Sequence, residues 1–156
     1  MKIFIDGSAG TTGLRIKDRL MKRSDVELTT LSEEQRKDTE SRKQALNSAQ
    51  VAFLCLPDAA AVEAVELVEN PDTVIIDTST AHRTSEGWAY GFPELSAEFE
   101  DKIKNSKRIA VPGCHAGGFI ALVYPLVEAG VLGNDALLNC YSLTGYSGGG
   151  KKMIAE

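Results

Sequence analysis

Residues 2–16 read KIFIDGSAGTTGLRI: an apolar run, then glycines at positions 7, 10 and 13, then a stretch with helical periodicity. Ile3, Phe4 and Ile5 at successive positions fit a strand covered on both faces, and TTGLRIKDRLMKR fits a helix. The spacing is GxxGxxG rather than the GxGxxG of the standard dinucleotide fingerprint. A strand that turns through glycines into a helix offers free backbone N–H groups at the positive helix end. Here the hydroxyls of Ser8, Thr11 and Thr12 lie beside them, with Ala9 between. Together Gly7, Ser8, Ala9, Gly10, Thr11, Thr12 and Gly13 make a place for a pyrophosphate. The same glycines also make a plain tight turn, and spacing alone leaves both readings open.

Outward from this turn the pattern repeats. VELTTL is followed by SRKQALNSA, VAFLCL by AAAVEAVELVEN, TVIID stands next, and RIAVP follows the short helical EFEDKIKNS. Strand-length apolar runs alternating with helices predict an α/β fold, a doubly wound, Rossmann-like parallel sheet covered by helices on each side, over the first ~110 residues. Beyond it GGFIALVYPLVEAGVLG predicts a helix ended by glycine, and ALLNCYSLTGYS predicts a strand running into a glycine cluster. The chain then stops on KKMIAE with no packing partner evident for that strand, so a fragment of a larger two-domain protein is expected.

Composition narrows the class. The 156 residues are 43% hydrophobic and 25% charged, with a net charge of -5, as in an ordinary globular chain. That acidic balance, with no Lys/Arg run, argues against a nucleic-acid partner. The N-terminus enters a strand at once and no apolar run reaches ~18 residues, so the expectation is a cytoplasmic protein with no membrane partner. Three cysteines, Cys55, Cys114 and Cys140, lie far apart and form no CxxC pair, which predicts neither a disulfide framework nor a metal site.

Residues 30–37, TLSEEQRK, decide the cofactor expectation. An NAD binder places an acidic side chain on the ribose 2′-hydroxyl about 20 residues past the glycines. Ser32 stands near that place and Arg36 and Lys37 follow, so a hydroxyl and two cations are at hand for a 2′-phosphate and NADP(H) is expected. Glu33 and Glu34 are the contrary evidence unless they point to solvent, and a solvated basic face is the bland alternative.

Cys114 sits in VPGCHAGGF, between a Pro-Gly turn and a helix start, where N–H groups and the helix dipole favour a thiolate and an oxyanion. An isolated cysteine is otherwise most often a small buried thiol. Cys55 within FLCLP and Cys140 within LLNCYS are expected in the core. Of the two histidines, neighbours on a helix point about 100° apart, so His115 does not face the Cys114 sulfur. His82 reads as structural or solvent-exposed.

The motifs GSAGTTGLRI, LCLPDAAAVEAV, IIDTSTAHRT, WAYGFPEL and VPGCHAGGFI occur in the order and approximate spacing of the N-acetyl-gamma-glutamyl-phosphate reductases, and most resemble their shorter, type 2 form, within the wider group that includes aspartate-semialdehyde dehydrogenase. The resemblance spans the whole chain but about the N-terminal half of a family protein. It implies an NADP-binding domain over residues 1–113 and the truncated start of an α+β catalytic and dimerisation domain over 114–156. It also implies reduction of N-acetyl-glutamyl 5-phosphate to the semialdehyde in arginine biosynthesis, by an enzyme that is a homo-oligomer at full length. Cys114 is then the nucleophile, and the base histidine lies beyond residue 156. Arg83 and Glu94 are expected on the substrate side, with Ser147 and Lys151 of the glycine cluster as phosphate contacts; the bland alternatives are a surface or capping pair of Arg83 with Asp77 or Glu94, a proline-stiffened loop at YGFPEL and a floppy chain end at the glycine cluster. Leu56, Pro57 and Ser79, at strand ends, are expected near the nicotinamide, although capping and turn roles serve them equally. Aspartate-semialdehyde dehydrogenase and a non-catalytic nucleotide-binding module are the alternatives.

Overall fold

The computed structural model describes residues 1–145 and 148. Six strands form one sheet: β1 (Lys2–Asp6), β2 (Glu27–Thr29), β3 (Val51–Leu54), β4 (Val74–Asp77), β5 (Ala89–Tyr90) and β6 (Arg108–Ala110). Their order is β2-β1-β3-β4-β6-β5 and every pair is parallel. Five helices connect or follow them: α1 (Thr11–Leu20), α2 (Thr39–Ser48), α3 (Asp58–Glu66), α4 (Ala97–Asn105) and α5 (Cys114–Glu128). The expected doubly wound architecture is present, and the direction of winding reverses between β1 and β3.

Local chemistry explains the helix starts. The Asp38 side chain accepts the Ser41 amide at 2.8 Å and caps α2, and the Ser96 hydroxyl accepts the Phe99 amide at α4. α5 ends in a left-handed Gly130, with the Val131 amide reaching back to the Leu126 carbonyl at 2.9 Å, the glycine-ended helix the sequence predicts.

The core is assembled from Phe4, Leu46, Leu54 and Ile75 with small alanines between them. It is thinner than the apolar runs imply. In β3 and β4 every second residue, Val51 and Phe53, Val74 and Ile76, is only half-buried, so one sheet face is incompletely covered. Two further expectations are corrected. Residues 136–145 hold no strand, because no strand among the described residues offers them a ladder, and an isolated strand leaves its backbone groups unpaired. Cys140 is accordingly exposed rather than in the core. His82 is buried, which fits the structural of the two readings offered for it. β5, with its two residues between a tryptophan and a glycine, carries no periodicity in the sequence and forms by pairing with β6.

The register positions the functional edge. Asp6 pairs with Leu54, Leu54 with Asp77 and Asp77 with Ala110. These four residues end their strands in one row, and at about 4.8 Å between strands the row runs ~14 Å from Asp6 to Ala110. The glycine turn, the loops after β3 and β4 and the loop carrying Cys114 all leave this row, and the loop carrying Glu94 leaves its continuation at Tyr90.

Candidate active site

The glycine turn leaves the row at Asp6. Gly7 has φ +81°, and a Cβ there would lie 2.2 Å from the Cys55 carbonyl oxygen, so the turn rides directly on the end of β3. A Cβ at Gly13 would lie 2.3 Å from the Gly7 oxygen, so the absence of a side chain lets α1 close onto the turn. Gly10 differs: a Cβ there meets only the Gly7 oxygen at 3.3 Å and the Cys55 oxygen at 3.9 Å. Its amide donates to Gly7 at 2.9 Å, while the first bond into α1 is Leu14 to Gly10. Among the described residues the amides of Thr11, Thr12 and Gly13 therefore find no partner at the helix start, as an anion site requires. The crevice where the winding reverses is also where ligands bind in such sheets.

Beside the turn, Asp6, Gly7, Ala9, Leu56, Glu33, Arg36 and Lys37 line a recess of about 350 Å³. Arg36 and Lys37 stand on a one-turn 3₁₀ helix, Gln35–Lys37, and Ser32 fixes its start by exchanging hydrogen bonds with Gln35. Arg36 Nε is buried with no hydrogen-bond partner among the described residues, a donor that an anion in this recess would satisfy. Glu33 lines the same recess, exposed, so the acidic residue weighed against a 2′-phosphate is adjacent to it. Below the turn, Arg42 from α2 binds Asp6 and Glu63, each at 3.1 Å. Burial pushes the Asp6 carboxyl up, and Arg42 partly opposes that.

At the other end of the row, β6 leads through Val111, Pro112 and Gly113 to Cys114, the first residue of α5, whose thiol is exposed. Cys55 contrasts with it: burial pushes its thiol up to about 11. His115 pairs with the Ser142 hydroxyl, not with Cys114.

The loop after β4 lies between these two places. The Ser79 hydroxyl donates to Asp77 at 2.6 Å, so this side chain builds the turn. Pro57 caps α3, and Leu56 lies 3.2 Å from where a Gly7 Cβ would be. Arg83 pairs with neither Asp77 nor Glu94. Its Nε donates to the Val111 carbonyl at 3.0 Å and its Nη2 to Thr78 at 3.3 Å. Nη1 lies against Gly113, 2.6 Å from where a Cβ would stand. Sequence reasoning placed Arg83 near the substrate but missed that it clasps the loop carrying Cys114. Glu94 lines a separate groove with Phe92, Tyr124 and Glu128, along the second half of α5. At 1.5 Å per residue that part of the helix begins ~10 Å from Cys114. Ser147 and Lys151 lie outside the described residues.

A family model described as "Semialdehyde dehydrogenase, NAD binding domain" matches residues 2–105. The chain belongs to the semialdehyde dehydrogenase family. Two relatives are an N-acetyl-gamma-glutamyl-phosphate reductase 2 of Pseudomonas putida, 52% identical over 97% of this chain and 49% of its own length, and an N-acetyl-gamma-glutamyl-phosphate reductase of a Chelativorans species, 53% identical over 99% and 50%. The chain thus spans about half the length of the curated relatives it matches. Two solved semialdehyde dehydrogenase structures share the fold. One is the aspartate semialdehyde dehydrogenase II of Vibrio cholerae, with TM-score 0.65 and 15% identity over 98% of this chain and 49% of that one. The other is the Candida albicans aspartate semialdehyde dehydrogenase with NADP, with TM-score 0.58 and 19% identity over 81% and 46%. Among the described residues no helix is long and apolar enough to cross a membrane.

Proposed function

We propose that this chain forms the nucleotide domain, and carries the nucleophile, of an NADPH-dependent reductase of N-acetyl-L-glutamyl 5-phosphate, which yields N-acetyl-L-glutamate 5-semialdehyde and phosphate in arginine biosynthesis. The observation that carries the reading is the row Asp6, Leu54, Asp77 and Ala110, from whose two ends the glycine turn and the Cys114 loop spring ~14 Å apart. An extended dinucleotide spans such a distance. The names of the relatives at about half identity supply the substrate class.

In this reading the Thr11, Thr12 and Gly13 amides hold the diphosphate, and Arg36 and Lys37 hold the 2′-phosphate beside Ser32. Cys114 Sγ attacks the acyl carbon, forming a C–S bond as the C–O bond to phosphate breaks and phosphate leaves with the electron pair. The first-turn amides of α5 are donors for the oxygen that gains charge in that step. NADPH, when held by these amides and cations, would supply a hydride to the thioester carbon; the C–S bond then breaks, releasing the aldehyde and returning the Cys114 thiolate. Arg83 keeps Nη1 for an anionic group of the substrate. Residues 1–113 are the nucleotide domain and 114–156 open a catalytic domain, in a cytoplasmic homo-oligomer.

The test runs the reaction in reverse on a protein of the relatives' full length, with NADP, phosphate and either N-acetyl-glutamate 5-semialdehyde or aspartate semialdehyde. NADPH formation with the first substrate alone is expected. Preference for the second, or no reaction with either, overturns the assignment.

A further inference from the structure

Asp77 is fully buried, yet its carboxylate has three donors: the Ser79 amide at 2.9 Å, the Ser79 hydroxyl at 2.6 Å and the His82 ring at 2.7 Å through Nδ1. A buried carboxylate so fully satisfied is rigid, and the turn it organises inherits that rigidity. The His82 ring is held from its other side by Trp88, stacked at 4.1 Å with an interplanar angle of 11°. Arg83 follows immediately in the chain and reaches the Val111 carbonyl. The Val111 amide in turn donates to the Asp77 carbonyl at 2.8 Å. Both backbone groups of Val111, three residues before Cys114, are therefore held by the turn that the Asp77 carboxylate organises.

We infer that His82 is a positioning residue: wedged between Asp77 and Trp88, it sets the turn from which Arg83 clasps the Val111–Gly113 loop and so fixes the placement of Cys114 at the start of α5. Nδ1–H donates to Asp77, and the ring plane is fixed by the indole, so the backbone at residue 82 has little freedom to carry Arg83 away. Other anchors tie the turn elsewhere. Thr80 bonds to Asp58 through its amide at 2.8 Å and through its hydroxyl, and Thr78 bonds to Leu54. These hold the near half of the turn to α3 and β3; the half that bears Arg83 carries local bonds of its own, the Ala81 amide to the Ser79 hydroxyl and the Ser85 amide to the His82 carbonyl, each at 3.2 Å, and the His82 side chain ties that half to Asp77 at the end of β4.

The inference rests on the proposed nucleophilic role of Cys114 only for its consequence in turnover, and the assay separates the two. Iodoacetamide labelling of Cys114 and of exposed Cys140 is followed by peptide mass analysis in the native chain, well below its melting temperature. Faster labelling of Cys114 than of Cys140 supports the nucleophile, and equal rates overturn that reading. His82→Leu is then expected to slow Cys114 labelling by roughly two- to fivefold, the range expected when a cation moves away from an anion at a partly exposed helix end. His82→Asn, whose amide can replace the Nδ1–H donor, is expected to restore most of the rate. Arg83→Ala is expected to slow labelling alone, and His82→Leu added to it is expected to have no further effect, because the histidine acts through the arginine. Should His82→Leu not fold, Trp88→Leu removes the stacking partner and carries the same expectations. A lowered melting temperature with an unchanged Cys114 rate, or additive losses in the double variant, overturns the inference.

Discussion

Replacing Gly10 with alanine separates the glycine that the fold needs from the glycine that the ligand needs. At Gly10 φ is -77°, an ordinary value, and the new Cβ comes no nearer than 3.3 Å to the Gly7 oxygen. Alanine is a poorer helix N-cap than glycine by up to about 1 kcal/mol, while the lost freedom of the unfolded chain returns ~0.4–1 kcal/mol. The two offset, so the melting temperature is expected to move by no more than about 2–4 °C. Gly7→Ala is the contrast. Its left-handed backbone alone costs alanine ~1–2 kcal/mol, and the Cβ at 2.2 Å from the Cys55 oxygen forces β3 and the turn apart. A loss of about 3–5 kcal/mol, or ~6–20 °C, is expected. Calorimetric titration with NADPH completes the comparison: Gly10→Ala, though folded, is expected to bind at least about tenfold more weakly, or ~1.4 kcal/mol, because the methyl occupies the approach to the diphosphate. Unchanged affinity in folded Gly10→Ala refutes the reasoning about the turn. A melting temperature of Gly7→Ala equal to that of the parent refutes the geometry.

Three other expectations follow from the same residues. With its thiol pushed up to about 11 by burial, Cys55 holds roughly one thiolate in a thousand at pH 8, so its alkylation should lag Cys114 and accelerate with pH to about 11; rapid labelling at pH 7 contradicts this. Arg36→Glu should weaken NADPH far more than NADH in paired titrations, and equal losses would remove the 2′-phosphate from that recess. Arg42→Met should destabilise by about 3–5 kcal/mol at neutral pH by leaving Asp6 buried without its cation. Asp6 is already raised above 3.8, so its contribution is present below that pH and is lost as pH rises through the folded value; without Arg42 that value rises further. The variant's deficit in melting temperature should therefore be larger at pH 7.5 than at pH 4, and a deficit that shrinks as pH rises contradicts the linkage.

What the sequence disclosed and what it hid divide along the range of the contacts involved. Gly7 and Gly13 announce the turn because local sterics there admit no side chain, and β3 and β4 announce themselves by consecutive apolar residues. The place of Cys114 at the first turn of α5 was legible because a Pro-Gly turn followed by an apolar helix is a local signal. Ala89 and Tyr90 were not, since two residues carry no periodicity and their strand exists only through pairing with β6. The opposite error arose at residues 136–145, where apolar content mimics a strand but the described residues offer no partner strand. His82 and Arg83 were half-legible. A serine two residues after an aspartate is the signature of a side-chain-built turn, and it marks Asp77 and Ser79. That the histidine closes the turn against Trp88, and that the arginine crosses to Val111, depends on how β4 and β6 lie side by side.

Trapping the acyl group tests the central claim most directly. A protein of the relatives' full length is incubated with N-acetyl-glutamyl 5-phosphate in the absence of any nicotinamide, quenched in acid and mapped by peptide mass spectrometry, with released phosphate measured in parallel. The account predicts an N-acetylglutamyl thioester on Cys114, phosphate released in step with it, and neither in Cys114→Ser. Acylation of Cys55 or Cys140 instead, or phosphate release that persists in Cys114→Ser, would contradict it.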